Sequence, residues 1–189
     1  VGDYAKVEKG HHFVRENPWY VYTSRSTDNG QTWTHQKTNI VDPAPSQKER
    51  CPEIIKEFDG NMDFTDPDLV LFFNMSGAKD FDYSWWNYST DRGKTWSDPY
   101  HFPKMDGVDL HLNMRTAYIV LNKDEILLFG SCQKSTGREG NIFCAKMKDG
   151  GKTMEFLSWI GPEYSDNGFN IMAQALRRED GTIVCFLRS

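Results

Sequence analysis

The octet STDNGQTW occupies residues 26–33, and STDRGKTW occupies residues 89–96. Six of the eight positions are identical, and a weaker third copy, MKDGGKTM, lies at residues 147–154. The Asp at the third position can accept hydrogen bonds from backbone N–H groups of its own turn, and the Gly at the fifth position supplies a positive φ. We therefore expect each octet to be a tight turn between two antiparallel strands. The third copy is expected to keep the turn without the Trp that covers it.

A second pattern recurs between the octets. Segments 50–55, 115–120 and 170–176 each precede a turn at an Asp and then an apolar run. One unit therefore reads as strand A, turn, strand B, loop, strand C, octet turn and strand D. Four strands in about 60 residues match the blade of a β-propeller, and propellers close with about four to eight blades. The sequence predicts about three blades of such a ring, divided as 1–45 (end of one blade), 46–105, 106–160 (two whole blades) and 161–189 (start of the next).

The overall composition favours strands and excludes two function classes. Aromatic residues make up 14% of the chain, and the apolar residues fall in short bursts, which favours an all-β fold. The net charge of −5 argues against a nucleic-acid partner, and no apolar run is long enough to span a membrane. The four cysteines form no C-x-x-C pair, so neither a metal nor a cofactor is predicted. The chain opens on Val1 rather than Met, which is typical of a processed or truncated product.

The octet Ser-x-Asp-x-Gly-x-Thr-Trp resembles the Asp box, or BNR repeat, of the sialidase superfamily of six-bladed β-propellers. The resemblance covers residues from about 20 to 154 and implies a structural role for Asp28, Asp91 and Asp149. It also implies a secreted or periplasmic protein. Sialidases bind a substrate carboxylate with three arginines, use a Tyr assisted by a Glu as nucleophile, and use an Asp as acid/base. Arginine suits this task because its planar fork binds a carboxylate through two parallel bonds.

Some residues of this chain match that family pattern. The RCP stretch at residues 50–52 resembles the family's Arg-Ile-Pro signature, and Asp80 and Asp82 resemble the acid/base position. Arg188 fits the arginine that follows an apolar strand, whereas Asn170 stands where the family has Glu. The resemblance implies that the tyrosine and a third arginine lie beyond the given sequence.

The repeats place other candidates beside these residues. Arg50 and Arg115 start equivalent inner strands, so both side chains could point at one anionic or polyhydroxylated ligand; the alternative is two unrelated arginines that are exposed at the surface or ion-paired. A general acid needs a carboxyl group near the leaving oxygen and a pKa raised by partial burial. The aromatic residues after Asp80 and Asp82 would supply that burial, although a solvated loop remains the alternative. The predicted substrate-binding residues are Arg50, Glu53, His111, Arg115, Asn170 and Arg188.

We expect a glycoside hydrolase of the sialidase-like propeller type, which acts on a glycan terminus at an arginine-lined channel mouth. Asp80 and Asp82 are its predicted catalytic residues. Two alternatives stay open at this point: a propeller that binds glycan without cleaving it, and a polysaccharide lyase that acts on uronic acids. The expected partners are a glycan and either the remainder of a longer propeller chain or a second copy.

Overall fold

The computed structural model describes residues 21–38, 40, 52, 54–75, 84–106, 111–135, 139–162 and 168–189, and the short strands at 4–5 and 12–13. This part of the chain is built from β-strands, with one 3-10 turn at Asp149–Gly151 and no α-helix. The strands are β1 (Tyr4–Ala5), β2 (His12–Phe13), β3 (Tyr22–Arg25), β4 (Thr34–Lys37), β5 (Val70–Met75), β6 (Ser84–Ser89), β7 (Tyr100–His101), β8 (Leu112–Asn113), β9 (Tyr118–Val120), β10 (Ile126–Gln133), β11 (Glu139–Lys148), β12 (Thr153–Trp159), β13 (Ile171–Arg177) and β14 (Ile183–Arg188).

The strands form several small antiparallel sheets in chain order. We call β3–β4 the first hairpin, β5-β6-β7 the second sheet, β8 to β12 the third sheet and β13–β14 the last hairpin; β1 and β2 form a separate pair. In the third sheet, β8 and β9 both pair with β10, which pairs with β11, which pairs with β12. Since β11 occupies the other edge of β10, β8 and β9 act as one inner strand that is interrupted between them. The third sheet therefore has the A-B-C-D strand order that the repeat predicts.

The second sheet and the last hairpin pack on opposite faces of the third sheet. Side chains alternate along β10. Leu128 faces a core shared with Phe73 and Trp86 of the second sheet. Leu127 faces the opposite core, which it shares with Ala173 of the last hairpin. The all-β prediction is confirmed, and the sheets stack in the order of the chain.

The first octet forms the predicted turn, closed by Asp28. The Thr32 hydroxyl donates to Asp28 Oδ2 at 2.6 Å, and the Thr32 N–H donates to Asp28 Oδ1 at 2.9 Å. The Ser26 hydroxyl donates to Asp28 Oδ1 at 2.7 Å and accepts the Gly30 N–H at 2.8 Å. These four contacts recur in the second octet at nearly the same lengths. The Thr95 hydroxyl and the Thr95 N–H donate to Asp91 at 2.7 and 2.9 Å. The Ser89 hydroxyl donates to Asp91 at 2.7 Å and accepts the Gly93 N–H at 2.8 Å.

The third octet keeps the turn, as predicted. The Thr153 hydroxyl donates to Asp149 Oδ2 at 2.5 Å, and Met154 takes the position of the Trp and is buried. The fourth and fifth octet positions have a positive φ in all three copies. Glycine adopts this backbone conformation without steric cost. The φ values at these positions are 57° and 86° (Asn29, Gly30), 61° and 77° (Arg92, Gly93), and 62° and 109° (Gly150, Gly151).

The assignment of residues 50–55 as the inner strand of the second sheet is wrong for its described part. Ile54 and Ile55 belong to no strand, and Ile54 is 71% exposed. The chain pairs instead at Lys56, whose N–H donates to Pro99 O at 3.0 Å in a parallel bridge beside Tyr100 of β7. Lys56 therefore lies at the outer edge of this sheet, whereas Tyr118–Val120 of the matching segment lies at the inner edge of the third. A local apolar pattern identifies an extended segment but does not choose the edge with which it pairs.

Within the described residues, no helix is long and apolar enough to cross a membrane.

Candidate functional site

The stack of sheets has two chemically different ends. The octet turns lie where β3, β6 and β11 end, and we call this the box end. Most of the buried polar residues lie at the opposite end, where β6 and β11 begin and β5 and β10 finish. None of the buried polar residues in the described part of the chain is a carboxylate. We call this end the polar end, defined by Asn74, Ser84, Asn113, Ser131, Lys134, Asn141 and Asn170.

The octet carboxylates at the box end are occupied by their own turns. The Thr32 hydroxyl, the Thr32 N–H and the Ser26 hydroxyl lower the pKa of Asp28 from 3.8 to about 2. The Thr95 N–H, followed by the Ser89 and Thr95 hydroxyls, holds the pKa of Asp91 well below its usual range. A carboxylate held ionised by hydrogen bonds is a poor proton donor near neutral pH. The geometry therefore supports the structural role that the sequence predicts for these residues.

Hydrogen bonds join the second and third sheets at the polar end. The Ser84 hydroxyl donates to Leu112 O at 2.5 Å and accepts the Met114 N–H at 2.9 Å. Thr116 makes a second link, because its Oγ1 accepts the N–H of Phe73 at 2.9 Å. Both links attach to the interrupted inner strand of the third sheet, so that strand has a fixed position relative to the second sheet.

Arg115 lies in this interruption, between β8 and β9. Its side chain is half-buried, and its Nε is shielded from solvent without a hydrogen-bond partner. No described carboxylate lies within ion-pairing distance of it. The ion-paired alternative thus finds no support among the residues that the structure describes. A buried N–H without a partner costs roughly 1–3 kcal/mol, which an anionic ligand would recover.

The last hairpin brings Arg188 and Asn170 to the same end. Arg188 is exposed, and its Cζ lies 5.9 Å from the centre of the Phe169 ring. Asn170 is buried, and its side-chain amide donates to Pro162 O at 3.0 Å. Asn170 is therefore tied to the backbone in this structure, whereas Arg188 presents its guanidinium to solvent. His111, the other described candidate, is exposed just before β8.

Four predicted site residues lie outside the described residues: Arg50, Glu53, Asp80 and Asp82. Of the predicted set, Arg188 and Asn170 lie at the polar end, and Arg115 lies on the inner strand of the third sheet, in the break between β8 and β9. The part of the chain that the structure describes contains no cluster of three metal-ligating side chains.

Sequence reasoning missed Lys134, a buried lysine at the end of β10. Its side chain is 3% exposed, and its Nζ donates to Gly168 O at 2.6 Å. A lysine directly after a long apolar strand reads from sequence as the solvated end of that strand. In the structure, this lysine instead bonds to the chain before the last hairpin, at Gly168.

Neither models of known protein families nor the curated proteins show a match to this sequence.

Proposed function

We propose that the chain is part of a sialidase-like six-bladed β-propeller that hydrolyses the terminal residue of an acidic glycan. The observation that carries this proposal is the half-buried Arg115, whose Nε has no partner among the described residues. An arginine whose Nε is shielded from solvent and that pairs with none of the described carboxylates is suited to bind an anionic group that arrives with a ligand. The stacked sheets and the octet turns favour the propeller.

In this reaction Arg115 and Arg188 bind the carboxylate of the terminal sugar, together with Arg50. Asp80 or Asp82 donates a proton to the glycosidic oxygen as the bond to the leaving sugar breaks. In the net reaction, water supplies the hydroxyl that replaces the leaving sugar on the anomeric carbon, and its remaining proton returns to the carboxylate. The chemistry assigns no step to the box end, where the hydrogen bonds of the turns keep Asp28 and Asp91 ionised. The glycan acted on is extracellular or periplasmic, as the resemblance implies.

A second candidate is a propeller that binds an acidic glycan without cleaving it. This candidate needs no general acid, because the unpaired Nε of Arg115 and the exposed guanidinium of Arg188 would be enough to bind a carboxylate. Both candidates use the same arginines.

The deciding experiment measures turnover of three aryl glycosides by the full-length protein that contains this chain: a sialoside, a glucuronide and a neutral galactoside. Hydrolysis of one acidic glycoside, lost in Arg115→Met and kept in the control Arg178→Met, would support the enzyme. Arg178 is exposed in the turn of the last hairpin, next to Asp180. Binding of the acidic sugar without turnover would support the binding protein, and neither binding nor turnover would refute both candidates.

A further inference from the structure

The segment before β13 is fastened to the third sheet by buried polar groups. Lys134 Nζ donates to Gly168 O at 2.6 Å, and the N–H of Asn170 donates to Gly140 O at 3.0 Å. Lys134 and Asn170 are 3% and 4% exposed, so water competes little for these bonds. A charged donor also makes a stronger bond than a neutral one. The two bonds hold residues 168–170 against the ends of β10 and β11.

Phe169 packs closely against the backbone of Gly140 in β11. The φ of Gly140 is +138°, and a Cβ built there would lie 2.8 Å from Phe169 Cβ and 3.0 Å from Phe169 Cα. Real Cβ atoms do not approach that closely, so any other residue would push Phe169 away from β11. Gly140 thus permits the contact, and Lys134 and Asn170 hold it.

The same segment sets the surroundings of Arg188. The Phe169 ring lies under the guanidinium, at 5.9 Å from Cζ, and Ile171 pairs with Arg188 across the last hairpin. Arg188 Nη1 also contacts Met172 Sδ at 3.7 Å. An arginine over an aromatic ring gains cation–π attraction that depends on the position of the ring. Movement of residues 168–170 would therefore move or release the guanidinium.

We infer that Lys134 is a positioning residue, which fixes the guanidinium of Arg188 through Gly168 and Phe169. The inference concerns the placement of Arg188, and its consequence for ligand affinity rests on the proposed function. Under that function, Lys134 touches no sugar atom but sets how well Arg188 meets the sugar carboxylate. The preferred ligand is then an anionic sugar, since a neutral one gains little from a well-placed guanidinium.

The first test follows the Nε–Hε resonance of Arg188 by NMR without any ligand. In the wild-type protein the Phe169 ring shields this resonance, and Phe169→Leu gives the value without the ring. Lys134→Met and Gly140→Ala are expected to move the resonance towards the Phe169→Leu value. Lys134→Arg keeps a charged donor and is expected to restore most of the wild-type shift. The control Lys152→Met changes an exposed lysine at the box end and should leave the resonance in place.

A wild-type Arg188 resonance in a folded Lys134→Met protein would overturn the inference. The second test measures the binding of N-acetylneuraminic acid and of its uncharged methyl ester by calorimetry. We expect Lys134→Met to weaken binding of the acid about tenfold and that of the ester far less, because only the acid needs the guanidinium. If the NMR result holds but the wild-type protein does not bind the acid, the proposed function fails and the positioning role of Lys134 stands.

Discussion

The hydroxyl of Thr116 accepts the backbone N–H of Phe73 at 2.9 Å, across the interface between the third and second sheets. The carbonyl of Thr116 also accepts the side-chain amide of Gln174 at 3.4 Å, from the last hairpin. One residue of the interrupted inner strand therefore contacts the sheet before it and the sheet after it. Because Phe73 is buried, its N–H has no ready access to water if Thr116 is altered.

We expect Thr116→Val to lower the free energy of unfolding by about 1–3 kcal/mol, the cost of leaving a buried N–H unpaired. The substitution keeps the shape of the side chain and removes only the hydroxyl. Thr116→Ser keeps the hydroxyl and should retain most of the stability. Urea unfolding of the three proteins measures both effects; a Thr116→Val protein as stable as the wild type would show that the hydrogen bond contributes little.

The hydrogen bonds to Asp28 in the first octet should make the stability of the fold depend on pH in the acid range. The hydrogen bonds to Asp28 lower its pKa from 3.8 to about 2 in the folded protein. A lowered folded-state pKa stabilises the fold above pH 3.8, and that stabilisation is lost as the pH falls from there towards 2. Asp28→Asn should therefore be less stable than the wild type at neutral pH but lose less stability over that acid range.

Urea midpoints measured between neutral pH and about pH 2 would check this. Asp59→Asn serves as the control, since Asp59 is exposed and lies outside the octets. A wild-type acid profile in Asp28→Asn would contradict the assignment of the low pKa to this turn.

The third octet differs from the first because its turn is packed against the second sheet. Met62 N–H donates to Gly150 O at 2.9 Å, and a Cβ on Gly150 would lie 2.8 Å from Met62 N. Gly181 also has a positive φ, but a Cβ there would meet nothing within 4 Å. Both Gly→Ala variants carry about 1–2 kcal/mol of backbone strain, and Gly150→Ala should lose roughly 1–3 kcal/mol more from the clash.

Thermal unfolding of Gly150→Ala and Gly181→Ala separates the two contributions. Equal changes in the two variants would mean that the third turn can move away from Met62 at no cost.

We expect the substitution Arg115→Met to have different effects on stability and on binding. The Nε of Arg115 is buried without a partner, so Arg115→Met removes an unsatisfied donor and keeps the apolar stem. We expect stability to be unchanged or to rise by about 1 kcal/mol while binding of an acidic sugar is lost. Urea unfolding and calorimetry on the same preparation would measure both. A marked loss of stability would instead indicate that the guanidinium has a structural role.

The sequence was most informative where the interactions are local. An octet closes its turn with contacts among residues two to four apart, such as Ser26 to Asp28 and Thr32 to Asp28, so eight letters are enough to predict it. The strand order of the third sheet followed from the same repeats. The repeats did not predict that the chain pairs beside β7 at Lys56, because an extended segment can pair with either edge of a sheet.

The candidate site depends on contacts that are distant in sequence. Lys134 meets Gly168 across 34 residues, and Thr116 meets Phe73 across 43. Burial of Lys134 requires a partner segment whose approach depends on Gly140, and no pattern around Lys134 signals this. Arg115 could be selected because the repeat places it at the start of an inner strand, but only the three-dimensional structure shows that its Nε has no partner among the described residues.

Under the proposed function, the break between β8 and β9 separates ligand binding from strand pairing. Residues 114–116 lie between the two stretches of backbone that pair with β10, because pairing resumes where the Ala117 carbonyl accepts the Phe129 N–H at 3.1 Å. The pairing on either side therefore does not use the side chain at position 115. If Arg115 binds the ligand as proposed, substitutions there would change what the protein binds at little cost to the scaffold.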